Sequence, residues 1–115
     1  MVVPAAGQVV IVPFPFSDLS QAKPRPAIVL AHAGRGDWIL CQVTSRSYGD
    51  PFAIRIEDRN LRGGALRMTS YIRPSKLFTG NVDLMLGAIG TLESGFFTRV
   101  VGAVARIINS EARHL

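Results

Sequence analysis

An arginine fenced by prolines, Pro24-Arg25-Pro26, and the run Thr44-Ser45-Arg46 are the residues of this sequence best placed to do chemistry. Each stands at the end of an apolar run: Arg25 just before Ala27–Ala33, Thr44 at the close of Trp38–Thr44. A guanidinium beside a hydroxyl suits an anion, because both supply hydrogen-bond donors and the first supplies charge. Gly34–Asp37 reads as a hairpin turn, which makes the two runs antiparallel and sets the start of one beside the end of the other. On that geometry Arg25 and Thr44 project from one edge of one sheet.

Other chemistries find less support. His32 lies in an apolar run, His114 lies near the chain end, and the acids are scattered, with Glu57-Asp58 too little for a carboxylate pair. No metal site and no metal-dependent nuclease are therefore expected. A lone Cys41 allows neither an internal disulfide nor a cysteine-based zinc site. Gly63-Gly64 lacks the lysine of a phosphate-binding loop, and a serine–histidine triad has no usable histidine.

The elements that must hold these residues are mostly strands. Gln8–Phe14 is β-branched and apolar, Ala27–Ala33 and Trp38–Thr44 follow, and Phe52–Glu57 alternates with period two. The stretch from Pro15 to Pro26 reads as an exposed loop, and Ser45–Pro51 and Asn60–Gly64 read as turns. Leu66–Leu77 is strand-like, and Val82–Ile89 reads as a short strand or a helical turn. Phe96, Phe97, Val100, Val101, Val104, Ile107 and Ile108 then follow helical spacing, with Ser94 or Thr91 as the cap. Five or more short strands with one packed helix suggest a small twisted barrel or curled sheet, in a single domain spanning 1–115.

The chain of 115 residues is 48% hydrophobic and 18% charged, which points to a globular domain. Thirteen Lys and Arg against eight Asp and Glu give +5, and only Lys23 and Lys76 are lysines. That balance favours a polyanion or an acidic segment as partner, and the preference for arginine tilts toward phosphate. With no long apolar run and no signal-like start, a cytoplasmic protein without membrane contact is expected.

Gly7–Phe14, Arg25–Leu30 and Val43-Thr44-Ser45, followed by Ser70–Leu77 and Ile89–Leu92 before a terminal helix, together resemble the MazF/PemK family of toxin endoribonucleases. The likeness runs in order along nearly the whole chain. It implies an SH3-like β-barrel with a C-terminal helix, a homodimer, metal-independent cleavage of single-stranded RNA (typically mRNA) without a cofactor, and a cognate antitoxin. The family's catalytic arginine and threonine match Arg25 and Thr44. Many members carry Asp-Gln after the serine block where this chain has Ile72-Arg73-Pro74, so substrate contacts differ there. The long Pro13–Ser20 loop resembles the PemK-like branch.

Cleavage of this kind uses the ribose 2′-hydroxyl as nucleophile, and an arginine is suited to stabilising charge on phosphorus but not to accepting a proton. Thr44 can hydrogen-bond the scissile phosphate, as can Ser45 or Ser70. Lys23, Arg46 and Arg73 are candidate RNA phosphate contacts, and Phe14, Phe16, Trp38 and Tyr48 candidate stacking platforms. The alternative is a non-catalytic SH3-like module that binds nucleic acid or an acidic peptide.

Overall fold

The computed structural model describes residues 2–14 and 23–114. Seven strands run in the order β1 (Gln8–Phe14), β2 (Lys23–Gly34), β3 (Asp37–Thr44), β4 (Ile54–Ile56), β5 (Leu61–Arg62), β6 (Ser70–Asn81) and β7 (Gly87–Leu92), followed by helix α1 (Ser94–Ala112). They form one antiparallel sheet in the order β4-β6-β3-β2-β1-β7-β5, curled into a half-barrel.

The central strands read as unbroken apolar runs because both of their faces are covered. Val9, Ile28, Cys41, Val43 and Ile72 point one way and pack under Phe96 and Val100 of the helix. Val10, Val12, Ala27, Val29 and Leu40 point the other way, against Met85, Trp38, Phe78 and Val82. Burial pushes the Cys41 thiol up to about 12, so it behaves as a core residue and not as a nucleophile.

Several boundaries differ from the sequence reading, each for a local reason. The segment Lys23–Pro26 is strand, not loop, because Phe14–Ile11 pair with it residue for residue; positions 15–22 lie outside the described residues. β6 runs four residues past Leu77, to Asn81, because Phe78–Asn81 pair with Leu40–Asp37 of β3. Its start shifts to Ser70, and only Ile54–Ile56 of the alternating 52–57 run is strand. Val82–Leu84 is a 3-10 turn and Gly87–Leu92 the strand beyond it.

His32 is exposed, not core, and its ring lies tilted against Trp38 with centroids 4.9 Å apart. The helix is capped by neither Ser94 nor Thr91. Glu93 does it, with Oε1 accepting from Gly95 N and Oε2 from Phe96 N, both at 2.9 Å. Those two bonds hold its carboxyl below the usual carboxylate range. On the helix, Phe96 and Val100 are buried, whereas Val101 and Ile108 of the apolar stripe stay exposed.

Candidate active site

The β2–β3 ladder stops at Ala27 opposite Gln42, although both strands continue past that pair. Strand alternation explains why. The carbonyl of Val29 turns toward the β1 side, where it accepts from Gly7 N at 2.8 Å. Ala27 and Arg25, two and four residues back, turn their backbone groups the same way and lie opposite Val10 and Val12. Pro24 and Pro26 therefore face β3, and neither nitrogen carries a hydrogen to donate. Beyond Ala27, β2 stays with β1, β3 stays with β6, and the two strands part.

The gap is the mouth of a cleft of about 650 Å³. Pro24, Arg25 and Pro26 form one lip, and Val43, Thr44 and Ser45 the other. Ile11, Ile89 and Ser70, with Ala65-Leu66-Arg67-Met68, close the floor and the far wall. The structure thus brings Arg25, Thr44, Ser45 and Ser70 together around one opening. Thr44 is nearly buried, and its Oγ1 accepts from Arg46 N at 3.3 Å, which leaves the hydroxyl hydrogen for another acceptor. Ser70 is also buried and donates to the Met68 carbonyl at 3.1 Å, which leaves its oxygen to accept.

Lys23, Arg46 and Arg73 do not line this cleft. Lys23 and Arg46 are exposed beside it in sequence. Arg73 sits in a network of its own. It lies opposite Gln42 on β3, its Nε donates to Asp50 Oδ2 at 2.9 Å, and its Nη1 reaches Gln42 Oε1 at 3.4 Å. The Tyr48 ring lies 5.5 Å from the guanidinium carbon. The Asp50 side chain is 4% exposed and that of Arg73 is 17%. Burial pushes the Asp50 carboxyl up, but bonds from Arg73 and Phe52 N, with the charges of Arg73 and Lys76, outweigh it and hold the group below its ordinary value.

Trp38 packs with the second core cluster. Phe16 and the Phe14 side chain lie outside the described residues. Among the described residues no three His, Cys, Asp or Glu side chains come together, and no helix is long and apolar enough to cross a membrane. Sequence reasoning missed the wall at Leu66–Met68. Its signal was an apolar pair carried just past Gly63-Gly64, where a solvent loop has no need of one.

A half-barrel whose central β2 and β3 part beyond Ala27–Gln42, backed by a C-terminal helix, is a MazF-like fold. MazF (Form-I) from Deinococcus radiodurans is 23% identical and superposes with a TM-score of 0.69, covering 95% of this chain and 99% of that one. The MazE–MazF complex (Form-III) from the same organism gives 0.73 at 20% identity, over 94% and 98%. An endoribonuclease in complex with its cognate antitoxin, from a mycobacterial species, gives 0.67 at 17%, over 93% and 96%. No curated protein matches by sequence. Residues 5–108 match the family of PemK-like, MazF-like toxins of type II toxin–antitoxin systems, and the chain belongs to that family.

Proposed function

We propose that this protein is the toxin of a type II module and acts as a metal-independent endoribonuclease on single-stranded RNA, above all mRNA, so inhibiting translation and growth. The observation that supports this reading most directly is the placement of Arg25 and Thr44 on opposite lips of one cleft, with Ser45 and Ser70 beside them. A phosphate lodged across the lips receives the Arg25 guanidinium and the Thr44 and Ser45 hydroxyls. The 2′-oxygen attacks the adjacent phosphorus and loses its proton, the bond to the 5′-oxygen breaks, and that oxygen takes up a proton. The products are a 2′,3′-cyclic phosphate and a 5′-hydroxyl.

The part of Arg25 is to stabilise negative charge on the phosphoryl oxygens and hold the attack in line. Thr44 contributes the donor that its bond from Arg46 leaves available. Lys23, Arg46 and the other surface arginines attract the polyanion from the side of the lips. The toxin works in the cytoplasm as a homodimer and is silenced by a cognate antitoxin that covers the cleft, a reading supported by family membership and by the relatives solved with antitoxins.

The test is incubation of the purified protein with mixed-sequence RNA in excess EDTA, followed by mapping of the ends. Discrete cuts with cyclic phosphate ends are expected. Intact RNA bound without cutting, with affinity loss spread over many basic residues, would support the binding-module reading instead.

A further inference from the structure

We propose that the cleft between Arg25 and Thr44 seats a nucleobase adjacent to the scissile phosphate, with Leu66 and Met68 as its wall and Ser70 reading the base edge. The proposal rests on the RNA reading above and adds a determinant of cut-site choice. Ile11, Pro24, Pro26, Val43 and Ile89 supply the rest of an apolar lining. Such a lining suits the face of a base and is a poor host for phosphate, whose charge belongs at the rim with Arg25 and Arg67. Met68 is 61% exposed, a large apolar side chain held at a cleft wall and not spent on the core.

The wall is fixed at both ends. Gly63-Gly64 lies against Ile89-Gly90 so closely that a Cβ on Gly64 or Gly90 would collide with backbone, and Gly64 has a φ of +81°. Two residues on, Leu66 N donates to Asp58 Oδ1 at 2.8 Å. Ser70 ties β6 to the same wall through the Met68 carbonyl. Held in this way, the wall presents a preformed slot and not a loop that must order on binding.

The neighbouring cleft of about 420 Å³ shares Leu66, Arg67 and Met68 but is ringed by Arg55, Glu57, Asp58 and Arg59. One rib therefore separates an apolar pocket from a charged one, and the base belongs on the apolar side. Because the Ser70 hydroxyl already donates, its oxygen favours a base edge that presents an N–H, and an edge presenting an acceptor is penalised.

The test uses 2′-fluoro RNA selected for binding from a random pool. It has no 2′-hydroxyl to attack, so affinity is read apart from turnover. Each nucleotide in turn is made abasic. One position is expected to lose affinity by about tenfold or more in the wild type, and mapping on natural RNA should put it beside the cut. That penalty should shrink to about threefold or less in Met68→Ala and in Ser70→Ala, with circular dichroism unchanged. An abasic penalty equal in the wild type and both variants overturns the pocket. A penalty that shrinks as predicted, in a protein that leaves natural RNA intact, keeps the pocket and removes the endoribonuclease reading.

Discussion

Arg25 and Arg73 share a face of the same sheet and differ in almost everything that decides what an arginine does. Arg73 lies across from Gln42, with its guanidinium bound to a carboxylate that is itself buried. Arg25 lies two residues before Ala27, where β2 has lost β3 and a cleft opens beside it. The first arginine fastens the 45–53 loop onto β3 and β6; the second stands at an opening large enough for a ligand. Residue type alone makes both phosphate contacts. Strand register separates them, Arg73 lying within the β3–β6 ladder and Arg25 beyond the end of the β2–β3 ladder.

The largest effect expected is that of Arg25→Ala. Turnover on RNA should fall by about 10²–10³-fold or more while affinity for uncleavable RNA and the circular dichroism spectrum change little. Arg73→Ala should do the reverse. It leaves Asp50 buried without its partner and should lower unfolding stability by about 3 kcal/mol in a denaturant titration. A variant at Arg73 that loses turnover at unchanged stability would break the comparison.

Gly64→Ala, which puts a Cβ into the Ile89 backbone at a positive φ, should cost at least about 2 kcal/mol and loosen the cleft wall, seen as a lower Tm. A pH series sharpens the Arg73 side of the comparison. The Asp50 carboxyl is held below its ordinary value, so its contribution is present at neutral pH and lost as pH falls through the folded-state pKa. The stability gap between wild type and Asp50→Asn should therefore narrow below about pH 4. The smallest effect is a gain. A Cβ at Gly102 meets only the flexible end of Arg106, at 3.3 Å, so Gly102→Ala should raise stability by up to about 1 kcal/mol.

The strands and the helix were legible because their signals are local: apolar runs for the doubly covered strands, 3.6-residue spacing for the helix. The placement of Arg25 and Thr44 at one opening was legible too, since it needed only a correct hairpin at Gly34–Asp37. What escaped depends on contacts distant in sequence or on proline read as punctuation. Pro24 and Pro26 looked like loop, yet they sit in a strand whose proline side has no ladder to complete. The bond from Arg73 to Asp50 escaped because the two lie 23 positions apart. Glu93 was passed over as a cap because serine and threonine cap more often, although a carboxylate can take two backbone donors at once. The Leu66–Met68 wall depends on Gly64 meeting Gly90, an approach that no local pattern announces.

In the proposed reaction the nucleophile at the Arg25–Thr44 cleft is the ribose 2′-hydroxyl. An RNA cut at one mapped site, remade with a single 2′-deoxyribose on the 5′ side of that phosphodiester, tests it in one gel. The prediction is that cleavage disappears at that bond alone and continues at other sites. Cleavage that persists at the deoxy position would contradict it.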